Sequence, residues 1–374
     1  MKKTLVFGAA IALLATTANA DVKLTNTFGA DEDNIWGGDF MSWERKTDDE
    51  ATPDRDEAEE FKSSDVLVSD RLQADISSEK FDSRIRLEFK NKNLNGKEAQ
   101  VRLRGYGRFT PIEQIQLAAG NEFFTKYGVS AAYLAAADDT LSSGRMAESG
   151  FAFNTNFAGV KIVANLAGDS KADDAENLGL NFGFDAVIPD AVKFGATFKN
   201  VTSENPTIGA FAGLGSVENL VLNAGYVYNN PDLNNWKNSM QFTCGYSFSD
   251  IGLTLAADVM TGLSNEYIKD GKTVEAKNGD DKLYPLSTRF AAGYGVTENL
   301  TLNADVQVSC VINQDNSTKT VLYPSVEYSL PKKMGSLIAG VRLAFNNAED
   351  NGGLQKISIP LCWKWTALNV KSAN

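Results

Sequence analysis

The segment Leu300-Thr301-Leu302-Asn303-Ala304-Asp305-Val306-Gln307-Val308-Ser309 alternates apolar and polar side chains without a break. Every even-numbered residue in it is apolar, and every odd-numbered residue is polar. Because successive side chains of a β-strand point to opposite faces, this period predicts a strand with one apolar and one polar face. The same split recurs along the chain, for example over 81–91, 177–187 and 191–200.

Strands of this kind follow one another along nearly the whole chain, separated by connectors rich in Gly, Asn, Asp or Pro. The predicted strands are 21–29, 65–77, 81–91, 97–109, 114–123, 148–157, 159–167, 177–187, 191–200, 207–215, 219–229, 237–248, 251–261, 286–295, 299–312, 319–330, 337–346 and 355–367. The connectors between them alternate between short and long. The pattern predicts an antiparallel all-β protein of about 16 to 18 strands, with short turns at one end and longer loops at the other.

The composition excludes several classes of function. The chain has 374 residues, no histidine and a formal net charge of −12. Without an imidazole it cannot use Ser-His or Cys-His catalysis, or histidine ligands for a metal. The acidic balance argues against nucleic acid as a partner, since binding its phosphates requires clustered lysine and arginine. We therefore predict no enzymatic activity, no catalytic residues, no cofactor and no metal site.

The N-terminus resembles a bacterial secretory signal peptide. Lys2 and Lys3 precede an apolar stretch from Thr4 to Ala15, and small residues lie at Ala18 and Ala20. Such a segment is removed on export, so we predict a signal peptide over 1–20 and a single domain over 21–374. No other segment has the long apolar run that a membrane-spanning helix requires.

Alternation alone fits both a soluble β-sandwich and a β-barrel in a membrane. The polar face here is rich in Gly, Ala, Asn, Ser and Thr, and the apolar face continues through nearly every strand. A single sheet of this many strands must close or split to protect its edges, and in a bilayer it must close. We therefore predict a transmembrane, antiparallel, up-and-down β-barrel over 21–374, and keep a surface-exposed or secreted β-rich adhesin without a pore as the alternative.

In this organisation the whole mature chain resembles the bacterial outer-membrane porins. The resemblance implies a protein of the cell outer membrane that contacts lipid and lets small hydrophilic solutes and ions diffuse passively through its interior. It also implies that the third long loop folds into the barrel and narrows it. Homotrimers are common in the family, and the sequence itself carries no sign of the oligomeric state.

The predicted pore-lining residues lie on the polar face of three successive strands. They are Arg71, Arg84, Arg86, Glu88, Arg102, Arg104 and Arg108. Six guanidinium groups so close together would repel one another in a dry core, so this face is expected to border water. Cross-strand ion pairing on the outside of a soluble sheet is the alternative explanation.

Two long loops carry the remaining predictions. By analogy with the porins, the loop 124–147, which carries Asp138, Asp139 and Arg145, is the candidate constriction loop. If it dips inward, its acids would face the arginines of the wall; a surface helix in the loop is equally consistent with the residues. The loop 30–64 is predicted to be an acidic outer loop, because residues 30–60 hold thirteen acids against three basic residues. A solvated loop explains this charge, and divalent-cation binding is the alternative, although the spacing does not match an EF-hand.

Pro324 and Pro360 lie inside predicted strands, where a local break is expected.

Overall fold

We describe a computed structural model of the chain. The structure describes residues 20–29, 39–45, 61–64, 68–91, 99–120, 150–168, 178–188, 191–202, 206–214, 217–230, 236–269, 272–331, 334–347 and 352–371. The predicted signal peptide up to residue 19 and the predicted constriction loop 124–147 lie outside these ranges. Within them, no helix has the length and apolar character needed to cross a membrane.

The described residues are almost entirely β-strand. The strands are β1 (Asp21–Phe28), β2 (Asp39–Arg45), β3 (Phe61–Ser64), β4 (Val68–Ser77), β5 (Phe81–Asn91), β6 (Ala99–Ile112), β7 (Ile115–Gly120), β8 (Gly150–Phe157), β9 (Val160–Gly168), β10 (Leu178–Ile188), β11 (Val192–Lys199), β12 (Thr207–Leu214), β13 (Leu220–Asn230), β14 (Trp236–Phe248), β15 (Leu253–Gly262), β16 (Glu266–Lys269), β17 (Lys272–Glu275), β18 (Lys277–Asn278), β19 (Asp281–Lys282), β20 (Tyr284–Thr297), β21 (Leu300–Ile312), β22 (Lys319–Ser329), β23 (Ser336–Gly340), β24 (Arg342–Asn346) and β25 (Gly353–Val370). A short 3₁₀ turn, Ser249–Ile251, separates β14 from β15.

The sheet closes on itself because its first and last strands pair. Val22 of β1 faces Val370 of β25, and the other edge of β1 pairs with β4. Around the wall each strand is antiparallel to its neighbours in chain order, and β16 to β19 form hairpins between β15 and β20. Three wall strands are each made of two pieces, namely β1 with β2, β3 with β4, and β23 with β24. The result is the predicted antiparallel barrel, with 18 wall strands.

A closed single sheet differs from the two packed sheets of a β-sandwich, so the sandwich is not the architecture of this chain. The connections at one end of the barrel have between two and six residues, and the longest at the other end spans 121–149. The connections at the long end have between five residues, 231–235, and 29 residues, 121–149, so the predicted alternation of short and long connections holds for most of the wall but not for every neighbouring pair. By chain order, 121–149 is the third connection at the long end.

The predicted outer loop 30–64 needs a correction, because two parts of it are strands. β2 continues the line of β1 along β25, and β3 pairs with β2. The ion pair between Glu44 and Lys356, with 3.3 Å between its N and O atoms, joins β2 to β25. The acidic composition of this segment predicted a loop. The strands form because β2 pairs with β25, a strand far away in the sequence, and β3 pairs with β2. The rest of the loop lies outside the described residues.

The two faces of the wall differ in the way the alternation predicts. On β6, Val101 and Leu103 point outward and each is 63% exposed, whereas Arg102 and Arg104 share the inner face. On β21, Leu302 is exposed outside and Asp305 is buried on the inner face. The wall therefore presents apolar side chains outward and polar side chains to the barrel interior.

The two prolines interrupt one wall strand. Val341, which separates β23 from β24, stands opposite Pro324 and donates its N–H to the Pro324 carbonyl over 3.1 Å. Pro324 has no N–H to return the bond. By register, the neighbouring Gly340 stands opposite Pro360 of β25. The wall strand made of β23 and β24 therefore lacks one hydrogen bond from each neighbouring strand at nearly the same position. These two missing bonds explain the break between β23 and β24.

Candidate functional site: the basic wall of the barrel interior

Six arginines form a basic wall on the inner face of β4, β5 and β6. The basic wall consists of Arg71, Arg84, Arg86, Arg102, Arg104 and Arg108. Antiparallel register brings them together, since directly opposed residues of neighbouring strands share a face. Arg71 faces Glu88 across β4 and β5, and Glu88 faces Arg102 across β5 and β6. The structure thus groups all seven residues predicted to line a pore.

Glu88 lies at the centre of the basic wall and is 4% exposed. Its Oε1 accepts a hydrogen bond of 2.7 Å from Nε of Arg71. Its Oε2 lies 3.9 Å from Nε of Arg104, which is an ion pair rather than a hydrogen bond. One buried carboxylate therefore balances guanidinium groups from the strands on both sides of it.

The other arginines are held against the wall by separate partners. Nε of Arg84 donates to Asp75 over 2.6 Å. Arg86 donates from Nε and Nη2 to the side-chain oxygen of Gln73, over 3.2 and 3.0 Å. These contacts fix the arginine side chains along the strands while leaving them on the interior face.

Arg108 lies at the short-turn end of the basic wall. Its Nε donates to Asp82 over 2.7 Å, and its guanidinium carbon lies 4.6 Å from the centre of the Tyr106 ring. Asp82 was not among the predicted residues. The available signal was the register, because Asp82, the second residue of β5, lies directly opposite Arg108.

Sequence reasoning also missed a second charged cluster on the inner face. Arg289 forms a bidentate ion pair with Asp305, and both side chains are buried. Next to it, Thr243 donates to Asp258 over 2.5 Å, and Asp258 faces Arg289 across β15 and β20. This cluster of Asp258, Arg289 and Asp305 is centred on β20, seven of the 18 wall strands from β5, the centre of the basic wall, which is about two-fifths of a turn. The interior therefore carries opposite excess charge on two sides.

Asp138, Asp139 and Arg145 of the predicted constriction loop lie outside the described residues. In the ranges that the structure covers, no group of Cys, Asp and Glu side chains is arranged to hold a metal ion. Glu275 of β17 and Lys277 of β18 form an exposed ion pair, and the hydrogen bond from Lys277 lowers the pKa of the Glu275 carboxyl.

Comparison with known proteins gives similarity of fold without similarity of sequence. No protein-family model and no curated protein matches the chain. OccK11 (OpdR) of Pseudomonas aeruginosa has a TM-score of 0.55 at 9% identity, covering 94% of this chain and 97% of its own. A mutant of the Rhodopseudomonas blastica porin has a TM-score of 0.47 at 11% identity, covering 92% of this chain and 100% of its own. In architecture, as a closed antiparallel barrel of 18 strands, the chain resembles the bacterial porins.

Proposed function

We propose that the protein is a channel of the cell outer membrane through which small hydrophilic solutes and ions diffuse passively. The observation that carries this proposal is the division of the wall, with exposed apolar side chains outside and charged or hydrogen-bonding side chains inside. In water an exposed apolar surface of this extent would be unfavourable, whereas in a bilayer it meets hydrocarbon. The polar interior then provides a path for solutes that lipid would exclude.

An outward band of aromatic side chains near the short turns supports a membrane location. The band consists of Phe81, Phe109, Phe157, Tyr246, Phe248, Tyr294 and Tyr328, each between 39% and 56% exposed. Aromatic rings are enriched where a barrel meets the boundary between lipid and water. We infer that this band marks one boundary, that outer-membrane lipid surrounds the wall, and that residues 1–20 direct export.

The connection 121–149 is our candidate for the constriction loop. It is the third at the long end, and it leaves the wall from β7, close to the basic wall on β6. If Asp138 and Asp139 face the arginines, a transverse field results that orients polar solutes as they pass. Cysteines introduced at Asp138 and Arg104 would form a disulfide with each other, detected by peptide mapping, if this placement is right, and would stay unlinked if it is wrong.

Recording ion current across a planar bilayer tests the function. We expect stepwise increases in conductance on addition of the folded protein, with no energy source or cofactor. A bilayer that stays sealed at saturating protein would refute the channel function.

We propose a homotrimer as the assembly. Measuring the mass of the protein in mild detergent tests this proposal separately.

A further inference from the structure

The strands β18 and β19 form a small hairpin that is separate from the sheet of the barrel. They make a two-stranded sheet of their own, which is not joined to the 23-stranded sheet. Two residue pairs hold it together, Lys277 with Lys282 and Asn278 with Asp281. Because the hairpin lies in the connection between β15 and β20, it is at the long end of the barrel. We call residues 277–282 the hairpin tip.

The hairpin tip is weakly held. An isolated two-stranded hairpin is only marginally stable in water, and all residues of this one are exposed. Lys277 and Lys282 place two positive charges directly opposite each other, which destabilises a strand pair. The hairpin tip can therefore open locally while the wall strands stay paired.

Within the hairpin tip, Asn278 is followed by Gly279. An asparagine loses its side-chain ammonia when the main-chain nitrogen of the next residue attacks its side-chain carbonyl carbon, Cγ. A side chain on that next residue hinders the attack, and glycine has none. Among the residues that the structure describes, Asn278 is the only asparagine that directly precedes a glycine.

The turn leaves both reacting groups accessible. Gly279 has a φ of +62°, and nothing lies within 4 Å of the position that a Cβ would take there. In the described part of the chain, neither the Gly279 N–H nor the side chain of Asn278 has a hydrogen-bond partner. Asn313 is also exposed, but its side-chain amide donates to the Lys282 carbonyl over 2.7 Å, and the residue after it is Gln314.

We propose that Asn278 is a site of spontaneous deamidation, at which the residue is converted to isoaspartate and aspartate. The Gly279 nitrogen bonds to Cγ of Asn278, the bond between Cγ and the side-chain nitrogen breaks, and the proton from the Gly279 nitrogen ends on the departing ammonia. Water then opens the resulting cyclic imide. Addition at the main-chain carbonyl carbon gives isoaspartate, and addition at Cγ gives aspartate. Water is the only co-reactant, and no electrons are transferred.

The modification keeps the hairpin tip from closing again. Either product places a carboxylate at position 278, opposite Asp281, and like charges in opposed positions destabilise a strand pair. Isoaspartate also lengthens the main chain, so that the two short strands no longer match. The long end of the barrel gains a negative charge while the wall remains intact. This inference does not depend on the proposed channel function.

Incubation of the folded protein in mildly alkaline buffer, followed by digestion with trypsin, tests the proposal. Cleavage after Lys277 and Lys282 releases a peptide, 278–282, that contains no other asparagine. We expect a growing fraction of this peptide to show the mass gained when an NH₂ group becomes OH, and most of that fraction to be labelled by an isoaspartate-specific methyltransferase. The fraction should grow faster at higher pH, because the attacking nitrogen must lose its proton. A peptide that stays unmodified, or that gains mass without the label, overturns the proposal.

Two comparisons attribute the reaction to the glycine in the turn. Gly279→Ala adds a Cβ to the attacking residue and should abolish the label at Asn278. Asn316 is an internal reference, because it is exposed but precedes Ser317, and it should react more slowly than Asn278. An undiminished label in Gly279→Ala, or equal rates at the two asparagines, overturns the proposal. The change in electrophoretic mobility on heating in SDS shows that the barrel of the variant has folded.

A free peptide of residues 273–286 measures the reaction without the barrel. We expect Asn278 to react at a similar rate in the folded protein and in this peptide, because the hairpin tip opens readily. A much slower reaction in the folded protein would show that the hairpin tip stays closed, which also overturns the proposal.

Discussion

Replacing Glu88 by Gln tests whether ions pass the basic wall. The substitution keeps the shape of the side chain and removes one negative charge between Arg71 and Arg104. A unit charge about 10 Å from a monovalent ion in water contributes about 0.4 kcal/mol, with opposite signs for anions and cations. The permeability ratio should therefore shift toward anions by about 0.8 kcal/mol, which is roughly fourfold.

The assay is the reversal potential in a KCl gradient. The shift should be largest in dilute salt and shrink in concentrated salt, because the screening length falls to about 3 Å at 1 M. Glu298→Gln removes the same charge from the rim at a short turn and should have a smaller effect. If Glu88→Gln folds and leaves the reversal potential unchanged in dilute salt, the basic wall does not border the ion path.

The substitution also loosens the wall. Arg71 is 19% exposed and Arg104 is 13% exposed in their contacts with Glu88. Removing one partner of a fully buried pair costs about 3–5 kcal/mol, and partial access to water reduces this to about 1–3 kcal/mol here. We expect a lower temperature for the loss of the folded form in SDS gels.

Three further predictions concern other parts of the molecule. Leu103→Arg places a charge on the outward face and should destabilise the barrel in lipid by about 2–4 kcal/mol, measured by denaturant unfolding in vesicles. Arg289→Ala leaves Asp305 buried without its cation and should cost about 3–5 kcal/mol in the same assay. Lys277→Ala removes the hydrogen bond that lowers the pKa of Glu275, so that carboxyl should titrate at higher pH by NMR. In the unaltered protein this contact is present at neutral pH and is lost as pH falls through the lowered pKa.

The strands and their faces could be predicted because the alternation is local information. The segment 300–309 contains enough residues to show its period and its two faces, and the structure has β21 there with the same parity. Every other predicted strand also has a counterpart in the wall. The basic wall could be predicted from the same alternation, because its arginines lie at alternate positions that share one face of three successive strands.

What could not be predicted depends on pairing between distant segments. Nothing in the acidic composition around Glu44 shows that β2 pairs with a strand more than 300 residues later. The pairing of Arg289 with Asp305 depends on which residues of β20 and β21 are opposed, and one residue of slippage would separate them. Pro324 indicated a break, but only the register shows that the break lies in the neighbouring strand.

The seam between β1 and β25 determines when the wall can be completed. At the end of this seam next to the short turns, Lys371 and Asp21 form an ion pair of 2.9 Å, although they are 350 positions apart in the chain. Until the final strand is available, the partly built sheet has two unpaired edges, and each is a template for pairing with another chain. Closing so long a loop is slow, because its entropy is lost before the seam forms. A nascent copy truncated before β25 should therefore aggregate edge to edge, even though all its other strands are present.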